Sequence, residues 1–289
     1  MNILLIGASG QLGQDIQHVF EANHTKIIPL SHADIEITKA ESVAQVFDHH
    51  RPDVVINTAA FHNVEKCETQ PQDAFSGNVL AAQYLAQNAQ KHGAYLMHVS
   101  TDYVFDGLKR QPYLESDLPL PLNIYGNTKL SGEYAVAANC DKYVNIRTCG
   151  LYGIHPCRAK GGRNFVTTML KLAAEKPFLK VVDDEILTPT STLAVAKQIY
   201  ALHDKALYGT IHATAEGACS WFDFAKAIFE LSDMKVDLRK AAPGEFPVKV
   251  NRPSYSVLEN GVLKKQQLNT FSHWREGLAT FLASYHHKN

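Results

Sequence analysis

Tyr125 and Lys129 stand four residues apart in the segment YGNTKLSGE. On a helix that spacing sets both side chains on one face, one turn above the other. An ammonium beside a phenol favours the phenolate, so the pair predicts a tyrosine of lowered pKa that gives and takes a proton near neutrality. Ser100 and Thr101 come just before them, at the end of the apolar run Tyr95-Leu96-Met97-His98-Val99. The carboxyl end of a strand is where an open α/β sheet presents ligand-facing residues. Tyr–Lys pairs at this spacing also arise by chance on solvated helices, so the pair takes its meaning from the segments around it.

The first of those segments is at the amino terminus. Asn2-Ile3-Leu4-Leu5-Ile6 is a short apolar run, and Gly7-Ala8-Ser9-Gly10-Gln11-Leu12-Gly13 follows at once. Leu12, Ile16, Val19 and Phe20 then recur at helical spacing. Strand, glycine turn and helix in this order cradle a pyrophosphate on the helix amino terminus. A second strand, Lys26 to Leu30, ends at Ser31-His32, where many dinucleotide folds carry an acidic residue for the ribose hydroxyls. With no carboxylate there, NADPH should serve at least as well as NADH, with Ser31 and His32 as donors to a 2′-phosphate.

The remaining elements alternate. An amphipathic helix around Val43-Val46-Phe47 leads to a third strand, Arg51 to Asn57, and then to small residues, Thr58-Ala59-Ala60, suited to close approach over a cofactor. A long helix runs from Val79 to Lys91, and the strand ending at Ser100-Thr101 is the fourth. Beyond Glu133 come a strand at Tyr143–Arg147 and a basic loop, Arg158 to Arg163. Helices follow from Asn164 to Glu175 and from Thr188 to about Lys205, then a strand at Tyr208–Ala213. Helices at Trp221–Leu231 and around Trp274 to Tyr285 complete the series. The fold expected is α/β: a Rossmann-type doubly wound parallel sheet, mainly residues 1–150, with a smaller mixed substrate lobe, mainly 151–289, that sends some segments back to the sheet.

Composition narrows the function. The 289 residues are 45% hydrophobic and 20% charged with a net charge of −1, so no nucleic-acid partner is expected. No run of eighteen apolar residues marks a membrane span, and no cleavable signal precedes the first strand, so the expected location is cytoplasmic. Five scattered cysteines show no zinc spacing; reduced thiols and no resident metal are expected.

The motifs GASGQLG, PDVVINTAA, VSTDYVFDG, YGNTKLSGE and RPSYSVL resemble the dTDP-4-dehydrorhamnose reductase family of extended short-chain dehydrogenases/reductases over nearly the whole chain. The resemblance implies NADPH or NADH as hydride donor and a nucleotide-sugar substrate, most directly dTDP-4-dehydro-L-rhamnose, reduced to dTDP-L-rhamnose for cell-surface polysaccharide, by a monomer or homodimer. It implies Tyr125 as the acid for the forming alkoxide, Lys129 as its partner and ribose ligand, and Thr101 as a hydrogen bond near the keto oxygen. For the cofactor it implies Gly7, Gly10, Gln11, Leu12 and Gly13 at the pyrophosphate. Ser31, Glu36 and Ile37 lie on the adenine side, and Ala59, Ala60 and Phe61 in the covering loop. For the sugar it implies Val64, Glu65, Asp102, Gly150, Asn164 and Arg252, while Glu68 and Glu115 read as structural carboxylates.

Two departures bear on the sugar. The family often carries a tryptophan where this chain has Gly150, so the expectation is a wider pocket or one filled by Tyr152 or Phe105, with bulkier sugars favoured. The family's Asp-Gln-x-Gly-x-Pro-Thr reads Asp184-Glu185-Ile186-Leu187-Thr188-Pro189-Thr190. Two other readings remain open. One is a reductase or epimerase for a different nucleotide sugar, an epimerase retaining tightly held NAD. The other is a non-catalytic NADP-binding subunit resembling the regulatory subunit of methionine adenosyltransferase, which the presence of Tyr125 and Lys129 disfavours.

Overall fold

The computed structural model describes residues 1–157, 161–242 and 244–287. Part of the basic loop, residues 158–160, lies outside them. The chain begins β1 (Ile3–Ile6), α1 (Gln11–Ala22), β2 (Ile28–Leu30), α2 (Ala40–His50), β3 (Val54–Asn57). Next come α3 (Val64–Thr69), α4 (Pro71–Phe75), a π turn (Ser76–Leu80), α5 (Ala81–His92), β4 (Tyr95–Thr101), α6 (Ile124–Asn139) and β5 (Tyr143–Thr148). The later half contains β6 (Leu151–Tyr152), α7 (Phe165–Glu175), β7 (Leu179–Val181), β8 (Ile186–Leu187), β9 (Thr190–Ser191) and α8 (Thr192–Leu202). It closes with β10 (Gly209–His212), β11 (Cys219–Ser220), α9 (Trp221–Leu231), β12 (Leu238–Lys240), α10 (Gly261–Lys265) and α11 (Trp274–His286).

Six parallel strands form one sheet in the order β10-β5-β4-β3-β1-β2. Parallel strands covered on both faces read as unbroken apolar runs, and β1 shows why. Its side chains alternate: Ile3 and Leu5 enter a core with α1 and α8, while Leu4 and Ile6 enter a second core with α2 and α5. β2 and β3 flank β1 on opposite sides, so the order reverses there and opens a crevice above the strand ends. A third core gathers Val166, Phe224, Ile228, Trp274, Leu278 and Phe281 from α7, α9 and α11. Residues 192–202 pack on the main sheet as α8, and 209–212 join it as β10 beside β5.

Two boundaries differ from expectation. The helix expected from Val79 begins at Pro71 and passes through the π turn before α5. The extra residue in that turn swings Asn78 inward, where it is 1% exposed. The helix expected from Thr188 starts at Thr192, because Thr190–Ser191 pairs with β6 and the Ser191 side chain caps α8 at Ala194 N–H. Among the described residues no helix is long and apolar enough to cross a membrane.

Candidate active site

β4 delivers Ser100 and Thr101 to the crevice, and a short 3₁₀ turn, Asp102–Val104, redirects the chain. α6 re-enters the site with its first turn fixed twice: the Asn123 side chain accepts from Gly126 N–H at 2.8 Å, and Glu68 accepts from Ile124 N–H at 2.8 Å. Glu68 is thus structural, as is Glu115, which accepts from the backbone of His212 and Val262. Along one face of α6 stand Tyr125, Lys129 and Glu133. Glu133 is buried and takes a bidentate Arg147 guanidinium from β5, with Nε at 3.0 and 3.1 Å and Nη2 at 2.7 Å, together with the Ser100 hydroxyl. This ion pair pins α6 to β4 and β5, which fixes the height of the two side chains above it.

Tyr125 hydrogen-bonds Thr101 and meets the Tyr103 ring edge-on at 5.7 Å. Burial pushes its phenol above the ordinary tyrosine range, while the Thr101 hydrogen bond pulls the other way. The expected lowering by Lys129 is therefore corrected. The lysine stem runs down into the protein, and Nζ donates to the Val99 carbonyl at 2.8 Å rather than resting against the phenol. Burial draws Lys129 itself down to about 8, opposed by Glu133. Asp102, fully buried, is raised by desolvation and held by Ser256, Cys149 and Thr101.

Tyr125 and Lys129 open onto a cavity of about 980 Å³ that runs from the glycine turn to Trp221. Gly7, at φ +82°, brings the backbone so close to the end of β3 that a Cβ would lie 2.8 Å from Ala59 N. Gly10, the N-cap of α1, offers no side-chain cap, and the first turn holds no acidic residue, so its N–H groups and helix dipole suit a diphosphate. The buried Asn78 side chain holds the loop above: Oδ1 accepts from Phe61 N–H at 2.8 Å, and Nδ2 donates to Phe61 O and Thr128 Oγ1 at 3.0 Å each. Gln11 reaches across from the turn and donates to the carbonyls of Gly153 at 3.1 Å and His155 at 2.6 Å.

At the far end Trp221 packs on Phe165, ring centroids 4.5 Å apart, and gives its indole N–H to Glu185 at 3.1 Å. Burial raises the Glu185 carboxyl, and the charge of Arg252 lowers it. These elements form a dinucleotide cradle joined to a polar-aromatic pocket, with a phenol and a lysine at the junction.

The chain matches the family described as RmlD substrate binding domain over residues 1–287. A dTDP-4-dehydrorhamnose reductase from Clostridium acetobutylicum is 40% identical with a TM-score of 0.94, the match covering 99% of this chain and 100% of that one. One from Bacillus anthracis, in complex with NADP, is 36% identical with a TM-score of 0.92 over 98% and 100%. The spore coat polysaccharide biosynthesis protein SpsK of Bacillus subtilis is 37% identical over 97% and 96%. The chain belongs to the RmlD family.

Set against that family, every cofactor residue expected from the sequence lines the cavity: Gly7, Gly10, Gln11, Leu12 and Gly13 at the turn, Ser31, Glu36 and Ile37 at one end, and Ala59, Ala60 and Phe61 beside Tyr125 and Lys129. Ser31 is already engaged, however, its hydroxyl donating to Asp34 at 2.7 Å, whereas His32 and Lys39 line the same end. Of the sugar residues, Val64, Thr101, Asp102 and Gly150 line the cavity. Glu65, Asn164 and Arg252 are not among its lining residues. Glu65 pairs outward with Lys249 at 3.1 Å, and Asn164 caps α7 and donates to Gly153 O at 2.7 Å. Arg252 is exposed and acts through its charge on Glu185 and Tyr103.

At Gly150, where a wider pocket is one expectation, the direction a side chain would take is already occupied. Gly150 has φ +56°, and a Cβ would lie 2.9 Å from Leu187 Cδ1 and 3.1 Å from Pro189 Cα. Neither expected substitute fills the wall: Tyr152 is buried in the third core and Phe105 stacks on Tyr113. Trp221 and Phe165 line the far end of the cavity. Sequence reasoning missed both, because apolar residues at the start of a helix look like core; only the pairing of Glu185 with an indole N–H distinguishes Trp221.

Proposed function

We propose that this protein uses NADPH or NADH to reduce the 4-keto group of a nucleotide-linked 6-deoxyhexose, with dTDP-4-dehydro-L-rhamnose as its first candidate, in the synthesis of a surface polysaccharide. The observation that carries the proposal is the meeting of Thr101, Tyr125 and Lys129 at the junction of a dinucleotide cradle and a Trp221–Glu185 pocket. Bound NAD(P)H supplies the hydride. Thr101 and Tyr125 hold the carbonyl oxygen, and Tyr125, kept protonated by burial, gives its proton as the oxygen gains charge. The Asn78-held loop at Phe61 excludes water on the cofactor side. His32 and Lys39 line the same end of the cavity as Ser31 and would offer donor groups to a 2′-phosphate, which supports NADPH. Residues 1–150 form mainly the cofactor half and 151–289 mainly the substrate half of a cytoplasmic monomer or homodimer. The test is oxidation of NADPH and of NADH by the purified protein against a panel of 4-keto nucleotide sugars. Turnover of a dTDP-linked 4-keto-6-deoxyhexose is expected. Absence of turnover on every sugar would overturn the proposal, and co-purified NAD with interconversion of 4-epimers would replace it with an epimerase.

A further inference from the structure

Behind Lys129 lie two buried polar side chains that take no part in the chemistry above. Asn57 ends β3 and His98 sits opposite it on β4. Asn57, His98 and Lys129 are 2%, 1% and 2% exposed. Asn57 Oδ1 accepts from Ala59 N–H at 3.1 Å, which turns its amide nitrogen toward His98 Nδ1, 3.0 Å away. On the other side of the ring, His98 Nε2 lies 3.4 Å from Lys129 Nζ.

Counting donors fixes the tautomer. An amide nitrogen only donates, so His98 Nδ1 accepts, and a neutral imidazole then carries its proton on Nε2. That N–H points at the lysine nitrogen. An ammonium has donors alone and would meet it donor to donor, whereas a neutral amine offers a lone pair. We infer that Asn57 and His98 are positioning residues that set the protonation state of Lys129, holding the imidazole in the tautomer that favours the neutral amine.

The groups around the lysine fit this role. On α6 it has Tyr125 above and Glu133 below, and Glu133 is spent on Arg147 from β5. From β4 it faces His98, whose proton affinity is driven well down, above all by burial. Asp102 and Cys67 act on Tyr125. An ordinary lysine is a fixed cation at neutral pH, whereas one poised near neutrality takes up and returns a proton beside the acid. The kinetic consequence rests on the proposed reaction; the protonation state does not, and it is measured without substrate.

The experiment is NMR of the full-length protein. With ¹⁵N-labelled histidine, His98 is expected to show the Nε2–H tautomer; an Nδ1–H signal overturns the inference even if no variant folds. With ¹³C-labelled lysine, assigned by Lys129→Met, the wild-type midpoint is expected at about 8. Asn57→Asp offers an acceptor to Nδ1–H, moves the ring lone pair to Nε2, and should raise the midpoint by about one unit or more. In a His98→Phe background the same added charge should raise it far less. An equal rise with and without the imidazole, or no rise at all, would overturn the relay.

Discussion

A phenol that gives up a proton only as charge appears on its acceptor contributes to turnover and little to ground-state binding. Tyr125→Phe should therefore lower kcat by roughly a hundredfold or more while the NADPH dissociation constant, read by fluorescence titration, stays close to wild type. Near-normal turnover would move the acid elsewhere. Because burial raises the Tyr125 phenol, activity should not fall on the alkaline side through loss of its proton until well above neutrality. Gly150 is also a matter of single-residue geometry. A non-glycine residue held at φ +56° costs about 1–2 kcal/mol, and the Cβ would press on Leu187 and Pro189. Gly150→Trp should thus lower the melting temperature and slow every sugar, rather than exchange one specificity for another. A stable variant with improved use of a single sugar would mean that the turn can relax.

At the scale of elements, the Glu133–Arg147 pair binds α6 to the sheet. Arg147→Met leaves a buried carboxylate without its partner and should cost about 3–5 kcal/mol in denaturant unfolding. Arg147→Met combined with Glu133→Leu should recover much of that stability, while an unchanged midpoint in the single variant would show the pair to be idle. The elements were largely legible in the sequence because glycine turns and apolar strands are local signals. Gly7, Gly10 and Gly13 announce the cradle, and the Tyr125–Lys129 spacing announces a shared helical face. What was illegible depends on distance in the chain. The π turn exists to bring Asn78 to Phe61 and Thr128, and nothing in NVLAAQ marks it. Lys129 could be placed beside Tyr125 by its spacing, but its engagement with Val99 and His98 on β4 is a tertiary fact. The same holds for Trp221, whose meeting with Glu185 joins segments that local pattern treats separately.

For the molecule as a whole, two buried histidines tie stability to pH. His212 donates from Nδ1 to Glu259 O, packs on the Phe105 ring, and is drawn down to about 3 by burial and by Arg147; His98 is held well below its usual value. At these two sites the unfolded chain binds more protons than the fold, so their contribution to stability rises with pH. The contribution is complete above the unfolded histidine value and is lost as pH falls toward the folded ones, by about 1.4 kcal/mol per pH unit for each group. Denaturant unfolding at pH 7.5 and 5.5 should reveal the loss, and His212→Asn should make it shallower; equal slopes would assign it to other groups. One long-range link reaches further than stability. Gln11 belongs to the turn that would carry the pyrophosphate, yet its amide grips the carbonyls of Gly153 and His155, on the segment leading from β6 toward the sugar-side wall. A ligand that settles the turn settles that segment too, and linkage makes the effect mutual. Each reactant would then raise the affinity for the other, and with the dinucleotide bound the sugar would find its half of the site already set.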